Sequence, residues 1–147
     1  MKTMGSLSLL LACLLCAAIA HASEADHVHA SAAWIRVLPG SLPAGGYVTL
    51  RNDGDQPATL QGASSPAYTS VMLHQSSTDT GMGRMRMVGQ LVVPAHGQVA
   101  LAPGGYHFML MGAGKPVQPG QSVQVTLHFA DGSTLATDFQ AKPANAL

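Results

Sequence analysis

From Ala32 onward, short apolar runs alternate with clusters of Gly, Pro, Asn and Asp, as strands alternate with turns. The runs are AAWIRV, GYVTLRN, ATLQGAS, TSVMLH, GRMRMV, QLVVP, QVAL, YHFMLM, SVQVTLHF and TLATDFQ. Within them apolar and polar positions tend to alternate with a period of two, so each run reads as a strand with one buried face. No later stretch keeps an apolar face at helical spacing for three turns. The breaker clusters NDGDQP, PAHGQ, LAPGG and ADGS recur at the spacing of an antiparallel sandwich or barrel. Asp131-Gly132, set between two alternating runs, predicts a tight hairpin. The pattern therefore predicts an all-β fold, an antiparallel β-sandwich over residues 32–142, with 143–147 as a tail that frays.

The exception to this pattern is the N-terminus. Lys2 supplies a positive start, LSLLLACLLCAAIA an apolar stretch too short for a membrane span, and AHA a small-residue cleavage site. Residues 1–22 are expected to be a cleavable signal peptide, leaving a mature form with no membrane span and a periplasmic location. A lipoprotein cleavage box ending at Cys13 is the alternative. Both cysteines, Cys13 and Cys16, fall within this segment, so cleavage after Ala22 leaves no thiol and no disulfide. Residues 23–31, with His27 and His29, read as a flexible polar lead-in, a copper(II) or zinc tag being the less favoured reading.

Composition narrows the picture further. A chain of 147 residues, 47% hydrophobic, suits one domain with a real core. Seven acidic and seven basic side chains balance, and Lys and Arg never cluster, which removes nucleic acid as a partner.

The candidate chemistry lies in the methionines. Beyond the signal segment all six of them, Met72, Met82, Met85, Met87, Met109 and Met111, fall between residues 72 and 111. Strand alternation puts Met72 and His74 on one face, Met85 and Met87 on one face, and His107, Met109 and Met111 on one face. In the first and third of these strands the core-forming residues, Val71 and Leu73, then Phe108 and Leu110, take the opposite face. In the second, arginines take the opposite face, and the pattern does not choose between packing and ligation for Met87. Imidazole combined with neutral thioether sulfur suits copper(I), whereas zinc and iron sites usually recruit thiolate or carboxylate. Without a cysteine thiolate a blue-copper electron-transfer centre is excluded.

The spacing of these residues resembles the signature of the PCuAC family of periplasmic copper chaperones. That signature is a His, ten residues, a Met, twenty-one residues, then His-x-Met, and His74, Met85, His107 and Met109 fit it. The likeness extends through GYVTLRNDGD, GASSPAYTSVMLHQ, VPAHGQVALAPGGYHFMLMG and VTLHFADGS. Gln75 stands where relatives often carry a Met after the first His, and the His- and Met-rich C-terminal extension of some relatives has no counterpart here. The resemblance implies a cupredoxin-like Greek key binding copper(I) through His74, Met85, His107 and Met109. It also implies a partner, the copper subunit of a respiratory terminal oxidase or another copper chaperone.

Other residues are expected to play structural parts: Trp34 and Phe108 in the core, His96 in a solvent-facing turn, His128 in a strand. Tyr47 and Tyr106 have no evident partner. Nothing resembles a nucleophile elbow or a paired-carboxylate site, so the protein is expected not to be an enzyme. The expectation is a copper(I) chaperone, the alternatives being a copper scavenger without a dedicated recipient and an interaction module whose methionines merely pack.

Overall fold

The computed structural model describes residues 21–78 and 81–147. One helical turn, α1 (Glu24–His27), precedes ten strands: β1 (Val28–Arg36), β2 (Ala44–Asn52), β3 (Ala58–Ser65), β4 (Tyr68–Ser77), β5 (Arg84–Met87), β6 (Leu91–Val93), β7 (Gly97–Leu101), β8 (Tyr106–Ala113), β9 (Ser122–Phe129) and β10 (Thr134–Lys142). Each strand coincides with one of the apolar runs. Burial follows the period of two: on β9, Val123, Val125, Leu127 and Phe129 are buried while Ser122 and Gln124 are exposed.

The strands form one hydrogen-bonded surface in the order β5-β4-β8-β2-β1-β10-β9-β3-β6, with β7 joined to β2, and a β3–β4 pairing closes it on itself. Closure removes most free edges. It is achieved by strands that change partner part-way. One side of β2 pairs with β8 through Ala44–Gly46 and with β7 through Val48–Asn52. One side of β4 pairs with β3 near Tyr68 and Val71, then with β5 from His74 to Ser77. The expected antiparallel sandwich is therefore present as a flattened barrel, with one parallel seam where β1 meets β10.

The interior is filled by Ile35, Leu50, Leu60, Phe108, Leu127 and Phe139, none with measurable exposure. Phe108 and Phe139 meet edge-to-face at 6.4 Å, a favoured aromatic geometry. The β9–β10 connection turns at Asp131-Gly132, where Gly132 takes φ of 84° and the Asp131 carboxylate accepts from the Ser133 N–H. A glycine suits that left-handed position because it has no Cβ to clash.

Residues 23–31, expected as a flexible lead-in, instead form the helical turn α1 and, from Val28 on, the first part of β1. Val28 is buried and pairs with Asn52, and His29 and Ala30 pair with Arg51 and Leu50. The Glu24 carboxylate accepts from the Thr59 N–H, and the Glu24 N–H donates to Asp131. Sequence pattern missed this because HVHAS alternates a single large apolar residue with small and polar ones. A register shift between Ser31 and Trp34, with Ala32 at φ of 50°, then separates the two halves of β1. At the other end, the tail folds back so that the Ala146 carbonyl accepts from the Arg36 guanidinium at 2.9 Å. The expected signal peptide, with Cys13 and Cys16, lies apart from its last two residues outside the described residues.

Asn52 is the one buried residue with a polar side chain besides His107 among the described residues, and its hydrogen bonds are filled. Its amide donates to the Gln56 and Val93 carbonyls and accepts from the Gly54 N–H, which ties the β2–β3 turn to β6. Because burying an unpaired polar group costs free energy, Asn52→Ala should lower the unfolding free energy by about 1–3 kcal/mol, read from urea denaturation. An unchanged midpoint would show that the turn is held by other contacts.

Candidate metal centre

The antiparallel pairing of β4 with β8 sets the centre. Its register places Met72 opposite Met109, Val71 opposite Leu110, Leu73 opposite Phe108 and His74 opposite His107. Residues directly opposite in such a pair project to the same side. Leu73, Phe108 and Leu110 therefore fill the core, and Met72, His74, His107 and Met109 share the outer face.

On β5, Met87 lies opposite His74 and Met85 opposite Ser76, which continues that face across a third strand. The other face of β5 carries Arg84 and Arg86, the latter hydrogen-bonded to Gln75. Met85 and Met87 are 54% and 69% exposed, so neither packs inward.

The two imidazoles lie 5.8 Å apart between ring centres at 77°. His107 is buried, and its Nδ1–H donates to the Gly105 carbonyl at 3.1 Å. A carbonyl accepts only, so the proton sits on Nδ1 and the Nε2 lone pair is free to bind a metal, the usual outer-shell arrangement of a ligating histidine. The same carbonyl accepts from the Ser76 N–H, which fixes it relative to β4. His74 is half-buried, and its Nδ1 is enclosed without a hydrogen-bond partner in the protein. Burial, and then the neighbouring His107, lowers the His74 pKa below its ordinary value. Both causes favour the neutral imidazole that a metal requires.

His107, Met109 and Met85 line one pocket together with Tyr47, Gly45 and Arg36. His74 sits beside His107 on the adjoining strand, outside that pocket's rim. The geometry thus gathers His74, Met85, His107 and Met109 on one face, with Met72 and Met87 next to them. Among the described residues no three His, Cys, Asp or Glu side chains gather closely enough to hold a metal ion, so any site here depends on thioether sulfur. That donor set fits a soft monovalent ion.

The sequence reading missed the wall on the β2 side of the centre. Trp34, expected in the core, lies instead on the outer face, half-buried, with its ring 4.5 Å from that of Tyr47. Tyr47 leans over Gly45, where an added Cβ would come within 2.7 Å of the phenol oxygen, so glycine is required for that close approach. The alternation of Trp34 and Arg36 on one side of β1 held the signal, but the aromatic ring suggested burial. Of the other histidines, His29 pairs with Asp53, His96 with Asp55, and His128 with Ser64.

A family model described as "Putative lipoprotein LpqE-like" matches residues 28–141. A relative named "Putative lipoprotein Lxx21020", from Leifsonia xyli subsp. xyli, is 38% identical over 112 residues, which are 76% of this chain and 67% of the relative. The solution structure of copper(I)-bound DR1885 from Deinococcus radiodurans is 38% identical, with a TM-score of 0.61 over 78% of this chain and 76% of the other. The copper-bound PCuAC domain from PmoF2 is 24% identical, with a TM-score of 0.68 over 84% and 98% of the two chains. At that identity it is similar in fold.

The lowered His74 pKa has a consequence for stability. An unfolded histidine titrates near about 6.5, so between the folded and unfolded values the unfolded chain binds more protons and stability rises with pH. The His74 contribution is in place above about pH 6.5 and is lost as pH falls through the folded value. In the metal-free protein, His74→Gln should therefore lose part of the decline that the wild type shows on acidification. Denaturation midpoints measured from about pH 8 down to pH 5 test this, and identical declines in both proteins would contradict it.

Proposed function

The chain belongs to the LpqE-like family, and from that premise we propose that it is an exported copper(I) carrier that binds the ion through His74, Met85, His107 and Met109. The observation that carries this reading is the opposition of His74 and His107 across β4 and β8, with Met109 and Met85 on the same face. The copper(I)-bound state named for the 38% identical DR1885 supports the choice of ion.

Two imidazoles and two thioethers are all neutral, so the bound centre keeps the single positive charge of copper(I). It also lacks the strong thiolate bond that would slow release. Met85 sits on the edge strand β5 and is half-exposed, so an incoming ligand can replace it without opening the barrel. Exposed, neutral ligation without a thiolate suits a carrier that hands its ion on. The recipient we propose is the copper centre of a respiratory oxidase or another copper chaperone, as the signature implies. The relatives' names as lipoproteins support export and favour a lipid anchor at Cys13. On either processing route the domain works outside the cytoplasm.

Met→Leu keeps size and apolarity and typically costs less than about 1.5 kcal/mol of stability. Met109→Leu and Met85→Leu should each weaken copper(I) binding by roughly tenfold or more, about 1.4 kcal/mol, with the melting temperature almost unchanged. Anaerobic titration against a chromogenic copper(I) chelator measures this. Zinc should compete poorly in the same titration, since thioethers are weak zinc ligands. Unchanged copper affinity with a damaged fold would make these methionines packing residues, and equal zinc affinity would defeat the choice of copper(I).

A further inference from the structure

The strand register continues the outer face well beyond the metal ligands. Met109 lies opposite Gly45 on β2, Gly45 opposite Arg36 on β1, and Arg36 beside Lys142 on β10. One rung along, Tyr47 lies opposite Trp34, which lies beside Gln140. The soft-ligand cluster therefore runs directly into an aromatic pair with two cations. The Arg36 guanidinium stands 5.4 Å from the centres of both rings, and the Lys142 ammonium 5.0 Å from that of Trp34.

Neither cation has a carboxylate partner among the described residues, where the ion pairs are His29–Asp53, Arg51–Asp53 and His96–Asp55. The Arg36 guanidinium donates to the Ala146 carbonyl, a neutral acceptor that leaves its charge without a counter-ion. The missing acids are at the other end of the barrel. Glu24, Asp26, Asp53, Asp55 and Asp131 surround α1, the β2–β3 turn and the β9–β10 turn, tied by the Glu24–Asp131 and Asp53–His27 hydrogen bonds. Asp138, the other described carboxylate, lies four residues along β10 from Lys142. β1 runs from the acidic end, where Val28 meets Asn52, to the basic end, where Arg36 meets Gly45. Arg51, paired with Asp53, also lies at the acidic end, but acids outnumber it there, so a chain with no net charge carries a charge separation along β1, with the candidate copper ligands toward the positive side.

We propose that the patch of half-buried Trp34 and Arg36 with exposed Lys142, backed by the buried Tyr47 ring, is the docking surface that holds an acidic, copper-accepting protein against the ligand face. The proposal rests on the copper(I) reading above and names the chemistry of the recipient: carboxylates set beside its own soft metal ligands. Trp, Tyr and Arg are the side chains that most often anchor protein interfaces. Opposite charges across such a surface raise the encounter rate and fix orientation. The ion itself adds a positive charge when loaded, so a carboxylate-bearing partner is drawn to the loaded carrier more strongly than to the empty one.

The test uses a synthetic peptide with Met and His ligands flanked by aspartates, beside its asparagine counterpart. With the metal-free protein, the aspartate peptide should shift the NMR signals of the Trp34 indole and the Gly45 and Lys142 amides, and the asparagine peptide should not. This readout needs no copper, so it separates failure of docking from failure of the copper assignment. With the loaded protein, copper(I) should pass to the aspartate peptide roughly tenfold faster at low salt, and the advantage should fade as salt rises. Lys142→Gln, at an exposed position outside the ligand pocket, should reduce that advantage without altering copper affinity, and Arg36→Gln with Lys142→Gln should abolish it. Equal rates for the two peptides, or an advantage that survives both substitutions, would overturn the proposal. So would binding of the patch to phosphatidylglycerol vesicles with no response to the aspartate peptide.

Discussion

The register of β4 against β8 is the constraint on which the rest depends. It is held by core contacts on one face, Leu73 against Phe108 and Val71 against Leu110, and it is read out on the other as His74 against His107. Because side chains alternate with a period of two, a slip of one residue would send the imidazoles inward and the core outward. The cost of burying those polar rings and exposing Phe108 and Leu110 fixes the register. Stability of the barrel and alignment of the ligands are thus the same fact seen from two sides of one sheet.

Around that register the candidate ligands differ in how firmly they are held. His107 is buried, and the Gly105 carbonyl orients it. His74 is half-enclosed, and burial, with His107 beside it, lowers its pKa and so favours the neutral form. Met109 lies within the closed part of the sheet, between β4 and β2. Met85 stands on β5, whose four residues are all exposed and which pairs only with β4 among the described strands. This gradient runs from a fixed imidazole to a thioether at the edge, and flexible, polarizable methionine suits the outer position.

Much of this was legible in the sequence, because strands with one buried face write a period of two into it. Nine of the strands and the second half of β1, the hairpin at Asp131-Gly132 and the shared face of His74, His107 and Met109 follow from that alternation and from turn residues. Partner choice does not follow: nothing local in Trp34-Ile35-Arg36 announces a parallel pairing with Gln140-Ala141-Lys142, more than a hundred residues away. The same gap hid the Trp34–Tyr47 wall, since a large aromatic on a strand reads as core until its neighbours are known. It hid the charge separation as well, because acids distant in sequence meet only once β2, β9 and α1 come together. The resemblance to PCuAC chaperones, drawn from spacing and from the segments around it, agrees with the fold likeness to the copper-bound PCuAC domain.

The central claim is that two imidazoles and two thioethers hold copper(I) on the β4–β8 face. X-ray absorption spectroscopy of the loaded, reduced protein tests it most directly, because scattering distinguishes sulfur from nitrogen in the first coordination shell. A shell containing both sulfur and nitrogen is expected, with the sulfur count halved in Met109→Leu and the nitrogen count halved in His74→Gln. A shell of nitrogen and oxygen alone, or one that neither substitution alters, would contradict it.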